Sequence, residues 1–460
     1  MPVQPALEFI PPDFNPIIWR IARTIIPAWL RYGYGISEVR SQNTEELVEL
    51  YRQFQAGKTK FLIAFRHPAT TDPPCIAQLL WNQLPQIARK EGKPLQSPVQ
   101  AHFIYDRGIP LWAGEFVGWL LPKLGSTSIR RGTTDRQGLR SIRNLFVNGR
   151  FPLAAAPEGA TNGHNEIVSP LEPGIAQFAF WCQEDLRKAD RTEDVAIVPL
   201  GIRYRFVKPP WKSLERLLAQ LEVDSGLKKQ LATGMQLNDG VAPTPEQEAI
   251  LYKRLYELGE HLLSQMEEFY SKFYQQDLVS NSEDTKLATR LPALLDAALN
   301  VAEKAFNLKS KGNLGDRCRR VEQAGWDRIY RLDMSELKTL APVERGLANL
   351  VASEAELRLW HMRLVESFVS VTGQYVAEKP TVERFADTIL LLWKTVSRMT
   401  EKSKVQTPRL GKRWAQLTVE KPFFISDYWD VYQTNRRQTV ANLTQDLKIA
   451  LEKAIATEEN

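Results

Sequence analysis

The 460-residue sequence predicts an α/β domain, a mixed sheet flanked by helices, followed by an all-helical C-terminal region. Two observations carry this. Short apolar runs at 61–65, 99–105, 152–156 and 195–200 alternate with helix-like segments at 76–89, 111–121, 136–147 and 174–186. Such alternation marks strands covered by helices on both faces. Beyond about Arg205 only helical spacing remains, at 246–278, 286–309, 343–376, 382–400 and 427–457, with Gly/Pro/Asn-containing breaks between. The length exceeds what one hydrophobic core organises, and we divide it into an N-terminal segment 1–40, an α/β domain 41–215 and a helical domain 216–460.

The 43% hydrophobic and 25% charged content excludes wholesale disorder. No apolar run reaches the ~18–20 residues of a membrane-spanning helix. Cys75, Cys182 and Cys318 are an odd number, far apart in sequence, and suit reduced thiols. The first twelve residues lack a basic stretch leading into an apolar one, so no secretory signal is expected. The expected location is cytoplasmic, with peripheral membrane association. Net charge is +6, a weak bias towards acidic partners. The short basic clusters at Lys228–Lys229, 317–320 and 436–437 read as solvated helix faces, and no nucleic-acid partner is expected.

Residues 14–35 hold Arg20, Arg23 and Arg31 but no acid. At helical spacing the arginines fall within about 80° of one another. Ile18, Ile21, Ile25 and Trp29 lie opposite with Ile17 at the boundary, and Pro27 kinks or ends the helix. Two readings fit: a helix lying in a membrane interface, or one packed on the protein's own core. Residues 44–54 form the next helix, with Asn43 or Thr44 as cap and Glu45 and Glu46 suited to the N-terminal dipole.

The first strand runs into Arg66-His67-Pro68-Ala69-Thr70-Thr71-Asp72. A strand end followed by a loop and a helix is where α/β sheets place their sites. Across so short a loop the Asp72 carboxylate can bond the His67 imidazole at Nδ1, leaving Nε2 to accept a proton. There is no Gly-x-Ser-x-Gly elbow and no cysteine in an activating context. The dyad therefore activates a group on the substrate, an alcohol or a water.

Three further segments follow. Gly125 to Gly132 contains paired Arg130 and Arg131 among glycines and hydroxyls, a setting for bidentate phosphate recognition or a solvated surface turn. Pro157-Glu158-Gly159 ends a strand, where Glu158 can bond a substrate hydroxyl or simply form a turn. Pro199 lies in Val198-Pro199-Leu200-Gly201, a strand ending in a turn. His164 beside the second of these reads as a turn residue or a group facing the acceptor, and His102 as a half-buried strand side chain. No Cys/His spacing resembles a zinc site, and no phosphate loop or dinucleotide fingerprint occurs; no metal or cofactor is expected.

In order and spacing these four segments resemble the glycerolipid acyltransferase family, which includes glycerol-3-phosphate and 1-acylglycerol-3-phosphate acyltransferases. The resemblance covers residues 45–210. It implies that His67 is the general base for an acceptor hydroxyl and Asp72 its orienting partner. The donor it implies is a thioester on CoA or acyl carrier protein; the acceptor is a phosphorylated glycerolipid, 1-acyl-sn-glycerol-3-phosphate foremost. Arg131 would bind the acceptor phosphate, with Arg130 beside it, while Glu158 and Gly159 would bind the acceptor and Pro199 shape the site. The sequence departs from the family pattern at Arg66, Ala69, Ala160 and Thr161, where Asn, Ser, Thr and Arg are usual. With that Arg missing, either Arg66 or Arg130 replaces the charge, or the acceptor is not a simple glycerol phosphate. The departures also motivate one rival, a degenerate scaffold that binds lipid; the dyad itself admits another, a thioester or ester hydrolase in which water replaces the alcohol.

Overall fold

Residues 61–65 decide the architecture, because successive side chains of a strand point to opposite faces. In the computed structural model, Phe61, Ile63 and Phe65 enter one core while Leu62 and Ala64 enter another. A strand buried on both faces reads as the unbroken apolar run seen in the sequence. The structure describes residues 2–130, 134–227, 237–278, 287–334, 340–368, 371, 373–400 and 407–456.

The sheet has eight strands: β1 Ile36–Gln42, β2 Thr59–Phe65, β3 His102–Asp106, β4 Thr127–Ile129, β5 Leu153–Ala155, β6 Asp194–Phe206, β7 Arg413–Val419 and β8 Phe423–Phe424. Their order is β1-β7-β6-β2-β5-β3-β4, with β8 also paired to β6. β6, β2, β5, β3 and β4 run parallel, while β7 and β8 lie antiparallel to β6. This is the mixed sheet flanked by helices that the alternation predicted. One face is covered by α1 (Pro16–Ala28), α2 (Thr44–Gln55), α3 (Asp72–Gln78) and α4 (Leu84–Lys90), burying Trp19, Leu47, Tyr51, Ile76 and Leu84. Two short helices, α5 (Ile109–Ala113) and α6 (Glu115–Lys123), follow β3. The other face carries α7 (Arg136–Asn148), α8 (Gly174–Lys188) and the C-terminal helix Arg436–Ala456, which bury Ile142, Phe180 and Leu447.

The chain divides into two units. The sheet unit comprises Phe9–Arg130, Asp135–Val207 and Lys412–Asn460. The other, built mainly from Lys208–Gly411 with the N-terminal residues up to Glu8, is helical. Its helices Pro245–Tyr274, Leu287–Ala305, Leu314–Ile329 and Pro342–Phe368 enclose a core containing Tyr270, Leu299, Val321 and Leu359. A capping box between Thr244 and Gln247 starts the first of them.

The expected partition needs correcting. Residues 216–460 are not all-helical, since Arg413–Val419 forms a sheet strand and the last helix packs on the same sheet. Its alternate residues Ala415, Leu417 and Val419 are apolar, but Gln416 and Thr418 between them are also buried, which masks the strand as a mixed polar segment. Residues 1–40 are not a separate segment either: from Phe9 onward they belong to the sheet unit, and Ile36–Gln42 is a strand in it.

Candidate active site

The parallel strands deliver the motifs to one edge of the sheet. β2 and β5 pair with Ala64 opposite Ala155, so the loops beginning at Arg66 and Ala156 leave the sheet side by side. His67 and Asp72, taken to be neighbours from a five-residue spacing, are bonded: His67 Nδ1 donates to Asp72 Oδ2 at 2.8 Å. The same oxygen accepts from the Ala69 N–H at 2.9 Å. The Asp72 side chain is wholly buried whereas that of His67 is 20% exposed, so the ring reaches solvent and its partner does not. Nδ1 faces a carboxylate, which fixes its proton there and leaves the lone pair on Nε2. No described residue bonds Nε2.

The remaining oxygen of Asp72 accepts a hydrogen bond from the Tyr204 hydroxyl, which in turn accepts from Thr71 Oγ1 at 2.8 Å. Burial, reinforced by the Asp72 charge, pushes the Tyr204 phenol well above its ordinary range, so it stays a donor. Sequence reasoning missed Tyr204 because it ended the strand at Leu200. Continuing the alternation through Val198, Leu200, Ile202 and Tyr204, all in one core, would have placed the phenol on the face of α3. Cys75 also lies near this hydroxyl, but burial followed by the Asp72 charge pushes its thiol up to about 12. It is no nucleophile at neutral pH.

The Pro-Glu-Gly block is bound to the histidine segment. Glu158 Oε1 accepts from the His67 N–H at 2.8 Å, and its other oxygen accepts from Asn162 Nδ2 at 2.8 Å and the Ser169 N–H at 2.9 Å. The Asn162 and Gly163 N–H groups donate to the carbonyls of His67 and Pro68. Glu158 is buried and engaged by three protein donors, one of them the His67 N–H, so it holds the histidine segment in place. Gly159 has φ +74°, and a Cβ there would fall 1.8 Å from Glu172 Oε1. The left-handed backbone favours glycine in that turn.

Arg66 is fully buried. Its guanidinium donates to the carbonyls of His164, Asn165, Ile167 and Ile202, which pins the 164–167 loop against β6. Arg66 therefore cannot supply the charge missing at Thr161. Asn165 adds paired bonds to the Tyr204 backbone, at 2.6 and 2.7 Å. His164 is buried, its Nδ1 bonded to Asn162 O at 2.8 Å, and burial followed by the nearby Arg66 charge favours its neutral form. His102 is likewise buried between Gly125 O and the Phe151 N–H.

Arg130 follows β4 at the sheet edge, three strand spacings or about 14 Å from β2. Its N–H donates to Asp135 Oδ2 at 2.9 Å, and the same oxygen accepts from buried Arg107. Although burial opposes it, these bonds and one from the Gly138 N–H hold the Asp135 carboxyl below its usual range. Arg107 and Asp135 are thus a fixed support for the Arg130 backbone, and neither was singled out from sequence. Arg131, like Lys228 and Lys229, lies outside the described residues.

Pro199 is not brought to His67. Gly201 and Arg203, two and four residues on, meet Ala454 and Ile455 O of the C-terminal helix, so this parity of β6 faces away from Tyr204 and α3. The Pro199 carbonyl accepts from the Glu420 N–H, at the corner between β7 and β8. Its missing N–H falls on that same side, where no ladder bond is interrupted.

Among the described residues no group of three or more His, Cys, Asp or Glu could hold a metal ion, and no helix is long and apolar enough to cross a membrane. The arrangement can accept one proton at Nε2 from a bound hydroxyl or water. Comparison with protein families gives no matching family, and no curated protein matches the chain significantly.

Proposed function

We propose that the sheet unit is an acyltransferase that moves a fatty acyl group from a thioester, on CoA or acyl carrier protein, to a hydroxyl of a glycerol-phosphate-type acceptor. The observation that carries this is the partly exposed His67 ring oriented by buried Asp72, with the Glu158 loop bonded to the same backbone. As the acceptor oxygen attacks the thioester carbonyl, its proton passes to His67 Nε2. The tetrahedral intermediate then expels the thiolate, which takes that proton. Proton removal of this kind contributes ~10²–10⁴-fold in rate. Asp72 holds the ring and stabilises the imidazolium. Arg130 and Arg131 bind the acceptor phosphate in this reading, the Arg130 backbone being braced by Asp135.

The test is a mass-spectrometric product screen, with acyl-CoA and acyl carrier protein donors against glycerol 3-phosphate and several lysolipids. An acyl ester formed by the wild type and lost in folded His67→Ala is the expected result. Near-normal transfer by that variant overturns the mechanism. Free fatty acid released at the same rate with or without acceptor makes the protein a hydrolase.

A further inference from the structure

Helices α5 and α6 form a hairpin that packs mainly on itself. Gly114, at φ +93°, makes the turn, and a Cβ at Gly118 would meet Pro110 Cγ at 2.8 Å, so the two helices cross in close contact. No residue of α5 is buried, and in α6 only Gly118 and Pro122 are. Its outer surface is nonetheless apolar: Leu111, Trp112, Phe116 and Trp119 are 45–67% exposed, with the Phe116 and Trp119 rings 5.8 Å apart. Aromatic side chains in such a cluster are not spent on the protein's own core.

A second exposed stripe lies on α1, which buries Trp19 and Ile26 and leaves Ile17, Ile21 and Ile25 53–64% exposed. One side of this helix is thus packed on the protein's own core, and the other presents an uncovered apolar stripe. The chain entering α1 is tied to the end of α6: the Asp13 and Asn15 N–H groups donate to the Pro122 and Lys123 carbonyls at 2.9 and 2.8 Å. Exposed Arg20 and Arg31 accompany the stripe, in a segment without an acid. The hairpin springs from the end of β3, the same sheet edge that carries His67 after β2.

We infer that the α5–α6 hairpin and the outer face of α1 together dock the sheet unit on an anionic bilayer, the aromatic side chains entering the headgroup region. Apolar and indole groups beside arginines suit an interfacial contact. Arg20 and Arg31 supply the charge complementary to anionic lipid. This extends the peripheral association expected from residues 14–35 by a second element, and it rests on exposed surface, not on the chemistry at His67.

The full-length protein is floated with vesicles of phosphatidylcholine alone or mixed with phosphatidylglycerol. The wild type should float with the mixed vesicles, and less with the neutral ones. A Trp112→Ser/Phe116→Ser/Trp119→Ser variant should bind about tenfold more weakly or worse. Its thermal midpoint should stay unchanged, because none of these side chains is buried. Ile17→Ser/Ile21→Ser/Ile25→Ser should weaken flotation independently. A wild type that stays in the aqueous fraction, or a hairpin variant that floats like it, overturns the inference. So does a concentration-dependent dimer lost in either variant, which would mean that a second copy covers the surface. His67→Ala should float like the wild type, so failure of the catalytic reading and failure of docking are separately visible.

Discussion

Tyr204 donates its phenolic hydrogen to the Asp72 oxygen that His67 does not use, so one buried carboxylate is held between an imidazole and a phenol. The carboxylate cannot rotate without losing one partner. The ring it orients therefore inherits its position from β6 as well as from its own loop.

Tyr204→Phe keeps the ring and deletes that bond. A hydrogen bond to a charged group contributes ~1.5–3 kcal/mol, and the expected loss is about tenfold in kcat with acceptor KM nearly unchanged, the pattern of a positioning residue. Thr71→Val, one bond further out, should cost less. Steady-state kinetics on both variants check this; a raised KM with normal kcat would place Tyr204 in acceptor binding instead.

Glu158→Gln places an amide where a carboxylate meets three donors, one of them the His67 N–H. At least one donor then faces an NH₂ group, at a cost of ~1–3 kcal/mol. We expect a lower thermal midpoint and a fall in kcat together. An unchanged midpoint with a selective rise in acceptor KM would instead support the direct acceptor contact implied by the family resemblance.

Arg66→Met removes donors from four carbonyls in a site closed to water. The expected destabilisation is ~3 kcal/mol or more. Arg66→Lys should rescue little, because a point-like ammonium cannot reproduce the fork. Denaturant titration measures both.

Burial pushes His102 and His361 down to about 4 from an ordinary value of 6.5, as the neutral imidazole is the form that fits. Unfolded chain takes up protons below 6.5 while the folded protein resists until about 4. Their stabilising contribution is therefore complete above 6.5 and is lost as pH falls through this window. Thermal midpoints should drop across it, and His102→Asn should flatten the decline relative to wild type. An equally steep decline in that variant would assign the effect to other groups.

What was legible in the sequence followed local pattern. The run 61–65 announced a doubly covered strand, and the five-residue spacing of His67 and Asp72 announced their bond, because both depend on neighbours in the chain. Tyr204 and Arg66 were opaque for the opposite reason. The partners of Tyr204 at Thr71 and Asp72, and those of Arg66 at 164–167 and 202, are fixed by strand order, which periodicity does not encode. β7 was hidden by Gln416 and Thr418, polar residues that are buried beside β6 without breaking its ladder.

β7 also sets the timing of assembly. Among the described strands β1 pairs only with β7, so residues 36–42 must wait for partners encoded after residue 412. Until Arg413–Val419 leaves the ribosome, the flank of β6 that it covers is an open ladder able to recruit a stray strand. The helical unit, encoded between, has time to form first. A chain interrupted before residue 412 would therefore leave its nascent sheet unsealed, and aggregation rather than a smaller folded unit is the expected fate.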